Sequence, residues 1–368
     1  MRDASGRLLS GSYDLDDVTF LLKPVHMAAT GIRAKERLIQ TGAAHYSEMI
    51  SEERRPDARY LEIFEDAFRR STRRMGTDIA RIAATIADKV GQRTLPCEIT
   101  LCSLVRAGVP YGVLLHRALK GLGLDSIHYG VSIIRDRGLD ANAMAYIFAR
   151  RDPDGVIFVD GWTGKGAISR ELRTSWANLG RAGAPELAVL ADPGGFATVS
   201  GSHDDWLIPS GILGANISGL ISRSILNARV VGPNDFHGAM SVDHLRDMDI
   251  SRRFVNAVSR CVAAAQPEAL PILFDADHLA QLRAATTDCM GAIIRAHDVD
   301  NPNRIKPGLA EATRAVLRRR PDRVFLRDAS DPDAAAIVHL CRTDAVPIVE
   351  CTRTTGPYRA ITLIKKVS

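Results

Sequence analysis

The chain has 368 residues, 46% of them hydrophobic, and a formal net charge of +5 at neutral pH. That length suits two domains, and the apolar share is enough to bury a core. No apolar run reaches the ~20 residues a membrane helix needs, and the first residues lack the apolar stretch of a secretion signal, so the cytoplasm is the default location. Six cysteines with no Cys-x-x-Cys pair indicate neither a zinc site nor a disulfide framework.

Residues 1–90 show little regular alternation and read as an amino-terminal extension packing on the main core. Within it, Met75, Ile79, Ile82, Ala83, Ile86 and Val90 share one face of a helix over 72–90. From residue 97 a strand–turn–helix rhythm begins. Ile99 to Leu104 is a predicted strand, and Pro110 suits the first turn of a helix running to about Leu122. Further strands are expected over 127–134, 156–159 and 187–191, with helices over 167–179 and 214–227. This alternation predicts an α/β domain over 91–265 with a mainly parallel sheet.

Ala-Ala-Ala-Gln-Pro near 265 reads as a linker. Beyond it, helices over 277–296, 309–319 and 332–343 and strands over 324–326 and 347–350 predict a smaller α/β domain over 271–368. Residues 301–368 carry 13 Lys and Arg against 7 Asp and Glu, so the basic excess belongs to this tail. A basic module on a neutral body points to a polyanionic partner, RNA foremost.

The most informative run is Val156-Ile157-Phe158-Val159-Asp160-Gly161-Trp162-Thr163-Gly164-Lys165-Gly166. Four apolar residues indicate a strand buried on both faces, ending in an acid and a Thr-Gly-Lys-Gly turn that opens a helix. Amides at such a helix start receive phosphate. The nucleotide P-loop does not fit, because Val159 stands where its first Gly belongs and Gly166 where its Ser or Thr belongs; Ser169 likewise replaces the third Gly of the dinucleotide pattern. A sugar phosphate is the expected ligand, with Thr163, Gly164, Lys165 and Gly166 around the phosphate and Asp160 facing hydroxyls or a metal.

These residues resemble the ribose-phosphate loop of type I phosphoribosyltransferases, with Gly161 where that superfamily has a second acid. The resemblance implies phosphoribosyl pyrophosphate as substrate and Mg²⁺ as cofactor, held at Asp160. Ser103-Leu104-Val105-Arg106-Ala107-Gly108 resembles the pyrophosphate loop, which implies that Arg106 and the amides near Gly108 clamp pyrophosphate. Arg135, in the charged stretch 133–140, falls in a candidate closing loop, and His237 in Asp235-Phe236-His237-Gly238 is a candidate substrate contact.

More narrowly, these motifs together with Gly11-Ser12-Tyr13 and Asp17-Val18-Thr19-Phe20-Leu21-Leu22 resemble a bacterial tellurite-resistance and stress-response family. In that family a phosphoribosyltransferase-like domain is fused to a Pelota-type RNA-binding domain of the L7Ae fold. The tail matches through Lys306-Pro307-Gly308-Leu309-Ala310-Glu311-Ala312-Thr313-Arg314, which implies RNA contacts at Lys306, Gly308, Glu311, Thr313 and Arg314. Ala310 departs from that fold's Asn.

The expected activity is therefore Mg²⁺-dependent ribosylation of a nitrogenous acceptor, coupled to RNA binding. Two alternatives stand beside it. Members of the family are also labelled cysteine proteases, which would make Cys102 a candidate nucleophile. A non-catalytic, nucleotide-sensing RNA-binding regulator is the other. No membrane partner is expected, and a homodimer is one open assembly.

Overall fold

The computed structural model describes residues 10–272, 275–351 and 354–366; the amino-terminal stretch from Met1 to Arg7 lies outside them. The chain opens with two short strands, β1 (Thr19–Phe20) and β2 (Lys23–Pro24), and helix α1 (Ile32–Gln40). Helix α2 (Ala58–Gly91) follows, then β3 (Glu98–Leu104), α3 (Val109–Gly121), β4 (Asp125–Val131), β5 (Ile133–Ile134), β6 (Gly138–Leu139) and α4 (Ala141–Phe148). The pivotal strand is β7 (Val156–Trp162), followed by α5 (Ala167–Asn178), β8 (Glu186–Ala191), β9 (Val199–Ser202), β10 (Gly238–Ala239) and α6 (Ser251–Ala265).

The main sheet has the order β1-β4-β3-β7-β8-β9, and every neighbouring pair runs parallel. Strands buried on both faces alternate their side chains between two layers. Ile99, Leu101, Ile157 and Val159 face the layer containing α2, α3 and α6. Cys102, Leu104, Val156 and Phe158 face the layer containing Leu172 and Trp176 of α5. Phe158 is fully buried, its ring edge-on to Trp176 at 5.7 Å between centroids.

The second sheet belongs to the carboxyl-terminal part. Helix α7 (Ala276–Ala296) leads to β11 (Ile305–Pro307), α8 (Leu309–Arg318), β12 (Pro321–Leu326), α9 (Ala335–Thr343), β13 (Ile348–Glu350) and β14 (Ala360–Ile364). These strands lie in the order β11-β14-β12-β13, with only β12 and β13 parallel. The molecule is thus mixed α/β, with a mainly parallel six-stranded sheet and a smaller second domain.

Several elements differ from the expectation. Residues 214–227 form no α-helix: a 3₁₀ turn at Ala215–Ile217 gives way to Gly219 and Leu220 at φ of +80° and +55°, which break a right-handed helix. The strand expected over 127–134 divides at Ser132 into β4 and β5, and β5 pairs antiparallel with β6 as a small hairpin. The extension is integral to the core: β1 joins the main sheet, and α2 begins at Ala58, fourteen residues before the expected start. Asp57 caps it, its carboxylate accepting from the Tyr60 amide at 2.7 Å.

Replacing Phe158 with Ala removes a buried ring from the contact between β7 and α5. Urea unfolding followed by circular dichroism should show a loss of about 3–5 kcal/mol, with Trp176 fluorescence reporting the loosened layer.

Candidate functional site: an anion pocket at the domain junction

Strands β4 and β7 flank β3 on opposite sides, so the connections after β3 and β7 diverge at their carboxyl ends. That is where open α/β sheets leave a ligand crevice. The turn after β3 presses against β7, and a Cβ at Gly108 would lie 2.0 Å from the Val159 carbonyl oxygen. Gly161 is equally constrained, because a Cβ there would meet the Tyr111 ring at 2.9 Å. No second acid fits beside Asp160, so Tyr111 accounts for the Asp-Gly pair. Gly166, at φ +72°, turns the loop into α5.

The crevice opens into a cavity of about 350 Å³, at the lower end of the ~300–1,000 Å³ typical of small-ligand sites. Asp160, Thr163, Lys165 and Gly166 line it from the first domain, and Lys306, Glu311 and Arg314 line it from the second. The sequence motifs divide these residues between a sugar-phosphate site and an RNA site; the structure brings them together.

Asp160 accepts from the Gly161 amide at 2.8 Å, yet burial pushes its carboxyl up to about 7. Thr163 donates its hydroxyl to Asp192, which also accepts from the Phe196 and Ala197 amides at 2.9 and 2.8 Å. Lys165 donates to the Pro302 and Ile305 carbonyls, the second at 2.8 Å. Burial and neighbouring Lys306 pull its ammonium down to about 7. Arg314 lies 5.3 Å above the Trp162 ring, and burial lowers it to about 9. Burial raises the Glu311 carboxyl, but Lys306 and Arg314 outweigh it and hold it below its ordinary value.

The other expected site residues fare differently. Arg106 lines the cavity but is committed: it pairs with Glu53 and donates to the Ile221 carbonyl at 2.6 Å. This contact ties the turn after β3 to the loops beneath it, so Arg106 is not a free pyrophosphate clamp. Arg135 lines the cavity from the β5–β6 hairpin, where its amide donates to the Tyr46 hydroxyl at 2.8 Å. Gly108 packs against β7, outside the cavity lining. His237 is also outside, bonded through Nδ1 to the Ser132 hydroxyl at 2.8 Å. Thr313 is fully buried in the docked arrangement and donates to the Leu309 carbonyl one turn back at 2.6 Å. Cys102 is fully buried in β3, and burial pushes its thiol well above the ordinary range.

Lys35, Arg223, Arg318 and Arg319 line the cavity as well, unforeseen from the sequence. The only local signal was the run Arg318-Arg319-Arg320. Among the described residues no three His, Cys, Asp or Glu side chains gather to hold a metal ion. Asp160 has both Arg314 and Glu311 near it, but Glu311 is itself held by Lys306 and Arg314, so the cations beside these two carboxyls make a poor donor set for Mg²⁺. Among the described residues no helix is long and apolar enough to cross a membrane.

The domains meet through contacts of unequal weight. Arg54–Asp344 and Arg70–Asp333 are partly exposed pairs worth at most about 1 kcal/mol each. Glu36 of α1 is fully buried against Arg319. Asp205, also buried, accepts from the Leu309 amide at 2.9 and 3.1 Å and from the Arg359 amide at 2.7 Å. It stands at the amino-terminus of α8, where helix amides favour an anion.

Fold and cavity together define a two-domain α/β protein with a cation-lined pocket at the domain junction. The chain belongs to the StiP family: the model described as tellurite-like stress resistance cysteine protease StiP matches residues 11–259. A relative in Acinetobacter baylyi named cysteine protease StiP is 44% identical, across 97% of this chain and 94% of its own. The PELOTA RNA binding domain model matches residues 284–366. Among solved structures, hypoxanthine phosphoribosyltransferase of Trypanosoma cruzi is 17% identical with a TM-score of 0.27, covering 35% of this chain and 77% of that one. HGPRT-ase from Leishmania tarentolae in complex with GMP is 14% identical with a TM-score of 0.27, covering 34% of this chain and 70% of that one. At those scores the likeness carries no argument about ligand or reaction. The family and the relative, both named for a cysteine protease, overturn the expected ribosyl transfer from phosphoribosyl pyrophosphate.

Anion affinity should fall as pH rises. Sulfate stays fully ionised between pH 6 and 8, whereas Lys165 loses its charge and Asp160 gains one near pH 7, so both changes oppose the anion. Calorimetric sulfate titrations should weaken several-fold from pH 6 to pH 8. Lys165→Met should bind weakly throughout with a shallower pH slope, and Asp160→Asn should retain more affinity at pH 8.

Proposed function

We propose that this chain is a stress-resistance protein that binds a phosphate-bearing small molecule at the domain junction and associates with RNA through its second domain. The observation that carries the first half is the cavity's charge: nine Lys and Arg side chains line it, against the two carboxyls of Asp160 and Glu311. Several are drawn below their ordinary pKa by burial and mutual repulsion, and a bound polyanion relieves that cost. The Thr163–Gly166 turn at the start of α5 adds helix amides to the same cavity. The RNA half rests on the family match of residues 284–366 and on the basic composition of that domain.

Inorganic pyrophosphate is the probe. One equivalent should bind and raise the melting temperature. The double variant Lys165→Met/Arg314→Met should lose at least tenfold in affinity, since charge-assisted hydrogen bonds contribute about 1.5–3 kcal/mol each. Absence of any pyrophosphate binding by the intact chain would sink this reading.

The family's name favours a second reading, a thiol peptidase. A nucleophilic cysteine needs exposure, a depressed pKa and a base. Burial leaves the Cys102 thiol neutral and pushes Cys289 and Cys341 up to about 11 and 12. Cys97 is exposed. Peptide hydrolysis by the purified chain that survives Lys165→Met/Arg314→Met but disappears in either Cys97→Ala or Cys102→Ala would establish the peptidase and identify its thiol. Hydrolysis unchanged in both cysteine variants would exclude these two positions.

A further inference from the structure

The second domain's cations divide between outer ones, Arg320, Arg342 and Lys365 among them exposed, and a cluster directed inward. Arg304 is tied to Asp300 at 2.9 Å, Arg323 to Asp322 at 2.8 Å, and Arg359 to Asp331 and Asp333 at 3.2 and 3.3 Å. Lys306, Arg314 and Arg318 instead face the cavity shared with the first domain. A polyanion using that inward cluster has to reach the surface around β11 and the start of α8. In the docked arrangement that surface is covered: Lys306 is 6% exposed, and the Lys165 ammonium of the first domain is hydrogen-bonded to the carbonyls of Pro302 and Ile305.

The amino-terminus of α8 is closed in the same way. Asp205 accepts from the Leu309 amide with both oxygens and from the Arg359 amide with one, so a first-domain carboxylate occupies the place where a phosphate oxygen would sit. Packing nearby is tight, since a Cβ at Gly211 would lie 2.8 Å from the Cβ of Ala310. A cavity of about 350 Å³ admits a small phosphate ester but not a folded RNA strand.

We propose that the docked first domain masks the RNA-binding face of the second, with the Asp205 carboxylate standing in for an RNA phosphate at the start of α8. RNA then binds only when the domains part. A small polyanion in the junction cavity bridges cations of both domains, holds them together and excludes RNA. The inference rests on the RNA and phosphate readings proposed above, and the test separates failure of each.

Anisotropy of a fluorescein-labelled RNA stem-loop is the readout, on the full chain. Asp205→Ala, with its fold checked by circular dichroism, should bind at least about tenfold more tightly than the unaltered chain. A reversible lock controls for disturbed folding. In Gly211→Cys/Ala310→Cys, relaxation of about 1 Å brings the two Cβ atoms into the disulfide range of ~3.5–4.5 Å. The oxidised pair should lose RNA binding, and dithiothreitol should restore it. Saturating inorganic pyrophosphate should weaken RNA binding to the unaltered chain.

If the oxidised and reduced pairs bind RNA equally, the masking is wrong. It is equally wrong if a folded Asp205→Ala binds no better than the parent. RNA binding by none of these proteins, the reduced pair included, overturns the RNA reading and the masking with it. Pyrophosphate that binds the chain yet leaves RNA affinity unchanged overturns the mutual exclusion. Pyrophosphate that does not bind at all defeats the phosphate reading itself.

Discussion

Like charges held in a confined space are the constraint on which the rest of this structure depends. Two unit charges ~4 Å apart repel by about 4 kcal/mol at an effective dielectric constant near 20, and the junction cavity gathers nine cations. Part of that repulsion is met by acids: Glu53 against Arg106 and Glu36 against Arg319 behind the cavity wall, and Glu311 in the wall itself near Lys306 and Arg314. Each of these acids comes from a different segment of the chain. The domain junction is therefore an electrostatic arrangement as much as an apolar one, and it can form only when all these segments are in place.

Glycine geometry supplies the room for that arrangement. Gly108 lets the turn after β3 touch β7, and Gly161 leaves space for the Tyr111 ring. Tyr111 in turn hydrogen-bonds Ser210, one residue before Gly211, which packs on Ala310 of α8. The residue that replaces the expected second acid is thus one link in a packed series running from α3 through the crevice to the second domain. A larger residue at 161 would disturb both the strand end and the domain contact.

The parts legible in the sequence were those encoded locally. The apolar run 156–159 marked β7, its acid and glycine turn marked the cradle, and Pro110 marked the start of α3. Helix α6 was missed although Phe254, Val255, Val258 and Val262 fall on one buried face, because polar residues and arginines interrupt the run. The reverse error over 214–227 arose where apolar residues recur but Gly219 and Leu220 adopt positive φ. The site was legible only in halves. Nothing local indicates that Lys165 meets the carbonyl of Ile305, 140 residues away. Residues read as an RNA-contacting surface proved to be one wall of a pocket because domain docking, which no local pattern records, decides which face is free.

The same charge pattern bears on where a thiol nucleophile can lie in this chain. Neighbouring cations and helix amino-termini lower a thiol's pKa, so the junction cavity is the environment best able to hold a thiolate. No cysteine lines it among the described residues. Leu104, which does line it, shares a face of β3 with Cys102, but Cys102 lies two residues further back along the strand and is fully buried in the layer with Phe158 and Leu172. Exposing it would mean separating β3 from that layer, at a cost comparable to removing core side chains. Peptidase chemistry on this fold therefore requires a thiol outside the sheet, and such a thiol would operate apart from the cations that dominate the domain junction.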